Sequence, residues 1–271
     1  MMRACALAIG GLDPGGGAGI LADARAIQRT GAFAAAAVSV WTVQSTAGLE
    51  RVAPVAPREV LDACACVLAH QRVRAIKTGA LGDARMVRRI AEWLGEHPRV
   101  PVIVDPVVRA TRTASADPRT ALLDARAVKV LRDELLPRAT LVTPNADEAR
   151  ALTGIVVVDA ASAEAAARAL LSYGARAVLL KGGHVPGDRV CDILVHARGM
   201  RTWSRARVAL PPLHGGGCTL AALIAGYLAQ RAGQRVDARV LEDAVSRARV
   251  VHGRALRRAV SVGGPMRVLV P

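Results

Sequence analysis

Aromatic side chains are nearly missing from this sequence: one Phe, two Tyr and three Trp among 271 residues. Proteins that stack nucleic-acid bases need more such platforms, so nucleic acid is not an expected partner. Lysine is almost as scarce. Lys77, Lys129 and Lys181 are the only lysines among 37 basic residues, so the formal net charge of +15 is carried by arginine. Arginine spread along a chain rich in Ala, Gly, Val and Leu reads as coding bias on solvated helix faces, with a steering field for an anionic small molecule as the functional alternative. The five cysteines (Cys5, Cys64, Cys66, Cys191, Cys218) are odd in number and show no CxxC or His-paired spacing. Neither a disulfide framework nor a zinc site is expected, and a reducing, cytoplasmic setting is. Long apolar runs are lacking too. Residues 30–49 are broken by Ser and Thr, and residues 208–230 by two prolines and three consecutive glycines, so no membrane span is expected. The N-terminus reads as a strand and a loop rather than a signal peptide.

What the chain does have is alternation. Short apolar runs at 4–9, 34–41, 75–77, 101–105, 141–143, 177–181 and 191–196 alternate with helical stretches at 19–29, 58–70, 84–95, 121–135 and 163–173. Continuous apolar strands between helices imply an α/β fold, a mostly parallel sheet covered on both faces. Two helices follow, 218–231 and 236–260; the first carries Leu220, Leu223, Ile224, Tyr227 and Leu228 in an i, i+3, i+4 stripe and reads as amphipathic. No repeat, linker or charge block divides the chain, so one domain spanning 1–271 is expected. The polar loop 109–119 is a candidate moving segment.

In open parallel sheets ligands bind beyond the carboxyl ends of the strands. After the first strand comes Gly10-Gly11-Leu12-Asp13-Pro14-Gly15-Gly16-Gly17-Ala18-Gly19, which lets backbone approach a ligand closely. It matches neither a P-loop nor a well-spaced GxGxxG. Later strand ends bring Lys77, Asp105, Asn145 with Glu148, and Lys181. A lysine retained in an Arg-dominated chain suggests a compact point charge: Lys181 reads as a phosphate ligand, Lys77 equally as ligand or structural residue. The segment His214-Gly215-Gly216-Gly217-Cys218-Thr219 opens a helix. Free N–H groups of Gly215, Gly216 and Gly217 there form a candidate anion hole, and a cysteine at that position is expected to have a lowered thiol pKa.

Taken in order, GGLDPGGGAGILAD, VQST, KTGALG, VDPV, TPNADEA, LLKGGH and HGGGCTL resemble the hydroxymethylpyrimidine and phosphomethylpyrimidine kinases of thiamine synthesis, members of the ribokinase-like superfamily. The resemblance spans about residues 4–231. It implies a ribokinase-like three-layer sandwich, ATP with Mg²⁺ as cofactors, a small pyrimidine substrate and a homodimer. By the same resemblance Cys218 is the catalytic residue, the general base, while Gln44, the Gly11 backbone and Asp23 shape the pyrimidine pocket. Lys181 and Asn145 are expected at ATP, and Asp105 and Glu148 at Mg²⁺, an ion that takes few protein carboxylates beside waters and phosphate oxygens. The sequence departs from the family pattern at Gly216, where Thr is usual, at Leu210-Pro211-Pro212-Leu213, in the loop after Asp105 and in the GGPMRVLVP tail. Two other readings stand beside this one: a pyridoxal kinase, and a pyrimidine-binding module without turnover.

Overall fold

A computed structural model describes residues 3–109, 122–185, 187–231 and 235–271. Its centre is a nine-stranded sheet in the order β3-β2-β1-β4-β5-β6-β7-β8-β9. These strands are β1 (Cys5–Leu12), β2 (Phe33–Ser45), β3 (Gly48–Pro54), β4 (Val73–Thr78), β5 (Val102–Val104), β6 (Leu141–Val142), β7 (Ala177–Leu180), β8 (Arg189–His196) and β9 (Gly199–Ala206). From β2 through β7 every neighbouring pair is parallel. The edges are antiparallel hairpins, β2–β3 at one side and β7–β8–β9 at the other.

The sheet is covered on both faces, and the alternation of side chains along the strands assigns the layers. Leu7 and Ile9 of β1 join one core with α2 (Pro57–His70), α3 (Ala84–Gly95), α4 (Ala125–Val130), α5 (Ala146–Thr153) and α6 (Ala160–Ser172). Ala6 and Ala8 face the opposite core, formed with α1 (Gly19–Arg29), α7 (Gly216–Gln230) and α8 (Ala238–Arg257). The small alanines on that face let α7 approach the sheet closely. Helix α7 is the central helix of that layer, packed against α1, α8, β1 and β4. Every residue from Thr219 to Ala229 is buried. The expectation of an amphipathic helix here is therefore wrong. Neighbours cover α7 on all sides, and the apolar stripe is one part of a fully apolar surface.

Several boundaries differ from the sequence reading for physical reasons. β3 and β9 are edge strands; β9 (GMRTWSRA) is exposed along most of its length and has no apolar run to reveal it. Helix α5 is eight residues long, too short for periodicity to show, and its signal is the Asn145–Glu148 capping box. The expected helix over 121–135 is interrupted in its described part: α4 gives way to a π-turn at Leu131–Leu135 and a 3₁₀ turn at Leu136–Arg138 around Pro137. Residues 110–119 of the polar loop lie outside the described residues. The C-terminal tail returns as β11 (Arg267–Val268), parallel to β10 (Leu213–His214), so it pins the segment just before α7.

Candidate active site

The carboxyl ends of β1, β4, β5, β6 and β7 open on one long cleft whose floor is the N-terminus of α7. Every residue singled out from the sequence lines it: Gly11, Asp23 and Gln44 toward β2, Gly215, Gly216, Gly217 and Cys218 at the middle, and Asp105, Asn145, Glu148 and Lys181 toward β7. The geometry at the middle begins with Gly215, which caps α7 in the left-handed region at φ 79°. A side chain there would be strained, and its Cβ would lie 1.9 Å from the Gly17 carbonyl oxygen. Thr219 secures the turn by donating both its N–H (3.0 Å) and its hydroxyl (2.9 Å) to the Gly215 carbonyl. On the far side His252 of α8 donates from Nε2 to the Gly216 carbonyl at 2.9 Å. Burial lowers the pKa of His252 to about 4, with Arg205 and Lys181 adding to the depression, so the ring is neutral.

Cys218 is half-buried and opens on the cleft. The expected lowering of its thiol pKa does not occur. Burial pushes it up to about 12; Lys77 and the Gly19 N–H pull it down, while Asp105 and Asp23 add to the rise. The helix N-terminus and a single ammonium are outweighed by desolvation and two nearby carboxylates. With its pKa pushed up by burial, Cys218 is a protonated thiol at neutral pH.

Two ammonium–carboxylate groups flank it. Lys77 and Asp23 are fully buried and meet at 2.8 Å, which settles Lys77 as the partner of Asp23. Burial raises Asp23 to about 6 despite the pull of Lys77, and its Oδ1 has no hydrogen-bond partner among the described residues. On the other side Lys181 Nζ lies 3.0 Å from Asp105 Oδ1 and 3.7 Å from Glu148 Oε2. The Thr143 hydroxyl donates to the same Asp105 oxygen at 3.1 Å. Burial alone would raise Asp105, but Lys181 and Lys77 hold it below the usual carboxylate range; burial raises Glu148 against the pull of Lys181. Asn145 caps α5: its Oδ1 accepts from the Glu148 N–H at 2.8 Å, and Glu148 Oε2 accepts from the Asn145 N–H at 2.7 Å.

No group of three or more His, Cys, Asp or Glu side chains able to hold a metal occurs among the described residues. The Lys181 ammonium nevertheless sits where one cation is shared by Asp105 and Glu148. Two carboxylates at such a point fit Mg²⁺ completed by water and phosphate oxygens.

Sequence reasoning missed two features. One is the pairing of Asp13 with His214, whose Nε2 lies 2.7 Å from Asp13 Oδ2. The other is the wall of arginines on β9 and α8. Arg205, Arg207, Arg249 and Arg257 all line the cleft, and Arg249 Nε meets Asp192 at 2.8 Å. Burial lowers the pKa of Arg205, with Arg249, Arg207 and Arg257 contributing. In a chain with arginines throughout, nothing local marks these four.

A mostly parallel α/β sandwich with a glycine turn, a lysine and paired carboxylates at its strand ends is the ribokinase-like architecture of small-molecule kinases. Solved structures agree. The chain matches a Bacillus subtilis pyridoxal kinase–ADP complex with TM-score 0.85 at 24% identity, covering 99% of this chain and 97% of that one. It matches a phosphomethylpyrimidine kinase of Clostridium difficile with TM-score 0.78 at 27% identity, covering 93% and 99%. The family model described as phosphomethylpyrimidine kinase matches residues 13–268, and the chain belongs to that family. A hydroxymethylpyrimidine/phosphomethylpyrimidine kinase of Mycobacterium bovis is 42% identical over 82% of this chain and 80% of its own length. A thiamine biosynthesis bifunctional protein of Geobacter sulfurreducens is 38% identical over 96% of this chain, which spans 51% of that longer protein. The chain is an enzyme of the kinase class. Among the described residues no helix is long and apolar enough to cross a membrane.

Proposed function

We propose that this protein transfers the γ-phosphoryl group of ATP to the hydroxymethyl of 4-amino-5-hydroxymethyl-2-methylpyrimidine, and a second phosphoryl group to the resulting monophosphate. The observation that carries this reading is the placement of the Gly215–Cys218 turn between two unlike halves of one cleft. Toward β2 lie Gly11, Gln44 and Asp23; the Gln44 amide, with the Asp23 Oδ1 that has no hydrogen-bond partner among the described residues, offers the donor and acceptors an aminopyrimidine edge requires. Toward β9 and α8 lie the Lys and Arg side chains, with Val190, Val208, Leu220 and Leu256 supplying apolar surface for a flat base. Lys181 and Asn145 serve the nucleotide side, and Asp105 and Glu148 hold Mg²⁺, which would neutralise phosphate charge when bound.

Phosphoryl transfer needs positioning and charge neutralisation more than covalent chemistry. The Gly215, Gly216 and Gly217 N–H groups act on the transferring phosphoryl group. Cys218 accepts the hydroxyl proton as a thiolate, so the thiol proton must first be lost and turnover rises with pH. The described strands form one principal sheet, in support of a single kinase domain over 1–271. Five free cysteines support a cytoplasmic setting. Trp41 (54% exposed) and Val43 (39%) on the β2 edge hairpin support a homodimer, which sedimentation would test.

The decisive experiment incubates the purified protein with Mg-ATP and, separately, the pyrimidine alcohol, its monophosphate and pyridoxal, following ADP release. Turnover of both pyrimidines above pyridoxal is expected. Preference for pyridoxal would establish a pyridoxal kinase. Binding without ADP release would establish a binding module.

A further inference from the structure

We propose that Asp13 and His214 form a buried clamp joining the two glycine turns, and act as positioning residues for the transfer step. The inference rests on the kinase reading above and concerns what holds its reacting groups in place.

Asp13 and His214 are each 2% exposed and lie 201 positions apart in the chain. The carboxylate is fully committed: Oδ1 accepts from the Gly15 N–H at 2.9 Å, and Oδ2 from the Ala18 N–H at 2.8 Å and from His214 Nε2 at 2.7 Å. Three donors therefore share one carboxylate: two peptides of the loop after β1 and one ring of the segment before α7. The turns fit tightly. A Cβ on Gly17 would lie 2.2 Å from His214 Cδ2. The Gln44 side-chain amide lies 3.4 Å from His214 Nε2, and Cys218 follows His214 across the three glycines of the second turn. One carboxylate thus ties together the glycine loop after β1, the segment that leads into Cys218, and a neighbour of the acceptor pocket.

The His214 ring and the Gly15 and Ala18 N–H groups hold the Asp13 carboxyl below the usual carboxylate range against the effect of burial, so it is a charged tie between the two turns. Stability is not a sufficient reason for it, because a buried polar pair of this kind is often replaceable by apolar side chains of similar size without loss. His214 Nδ1 has no hydrogen-bond partner among the described residues, so the ring's polar orientation is set from the Nε2 side, chiefly by Asp13. Geometry is what the pair contributes, and misplacement by about 1 Å costs on the order of 10² in rate.

The test uses Asp13→Asn, His214→Phe and His214→Gln in the full chain. Gln keeps an amide nitrogen near the reach of Nε2; Phe keeps the ring without it. Two measurements are made: kcat with KM for ATP, and hydrogen exchange of peptides covering 13–19 and 214–219 without ligand. Asp13→Asn and His214→Phe are expected to lower kcat per folded molecule on the order of 10²-fold with KM for ATP changed less than about threefold, while His214→Gln retains most of kcat. Exchange should quicken in both segments together for Asp13→Asn and His214→Phe, and stay slow for His214→Gln. Unchanged kcat in His214→Phe, or faster exchange confined to the substituted segment, would overturn the clamp. Should the wild type fail to phosphorylate either pyrimidine, the functional reading falls, and the exchange result still decides the clamp. If Asp13→Asn does not fold, the comparison of Phe with Gln at position 214 decides it.

Discussion

On the β1–β2 side of the cleft, ionisable groups are committed in pairs, Asp13 with His214 and Asp23 with Lys77, and all four are buried. On the β7–β9 side Arg205, Arg207, Arg249, Arg257 and Lys181 face Asp105, Glu148 and Asp192. The first side is built to present shape and a few hydrogen-bonding atoms. The second carries cations in excess, with Arg205 crowded by like charges. Arg207 is held in place by the carbonyls of Gly183, Val185 and Gly187. A neutral ring alcohol and a polyphosphate ask for those two environments, and the glycine turn lies where they meet.

The contrast can be broken first at the junction. Cys218→Ala should cut kcat by a factor on the order of 10²–10⁴, with KM values for both substrates little changed. Because burial holds the thiol near 12, alkylation of Cys218 should speed up steadily with pH, without a plateau below about pH 10. A plateau near neutrality would show a lowered thiol pKa after all. Lys181→Ala attacks the charged side, and a loss of about 10²–10³ in kcat is expected. Since Lys181 is also the counter-ion of buried Asp105, denaturant titration should show a stability loss of a few kcal/mol as well.

The neutral His252 offers a pH test of the turn. Its folded-state pKa of about 4 lies below the ordinary value of 6.5. The native state therefore binds fewer protons than the unfolded one; the His252 contribution is complete above pH 6.5 and falls away between 6.5 and 4, by about 3 kcal/mol at most. His252→Gln should flatten that segment of the stability–pH curve, and an unchanged slope there would remove His252 as its source. On the paired side, Gln44→Leu should raise KM for the pyrimidine about tenfold and leave that for ATP unaltered, matching the loss of about one hydrogen bond. The smallest effect is expected for Arg205→Ala: a rise of about threefold in KM for ATP, shrinking as salt is added, with pyrimidine KM constant. An effect of Arg205→Ala on the pyrimidine instead would reverse the assignment of the two sides.

The strand–glycine–helix order was legible because each element announces itself locally. Residues 19–29 and 84–95 read as helices and form α1 and α3 with those bounds. The edge strands were not, since β9 gains its conformation from β8 rather than from its own apolar pattern. Within the site, Lys181 stood out as a rare lysine, whereas Arg205 was lost in an arginine-rich background. His214 was visible beside the glycines, but nothing in its surroundings of sequence pointed to Asp13.

The sequence by itself determined the parallel α/β layering and the glycine turns at the ends of β1 and β10, because periodicity and backbone permissiveness act over a few residues. Tertiary structure decided which charges meet and what protons they hold. The Asp13–His214 and Asp23–Lys77 pairs join residues 201 and 54 positions apart. The Cys218 thiol is raised rather than lowered because burial, a property of the whole packed fold, outweighs the local field of a helix terminus.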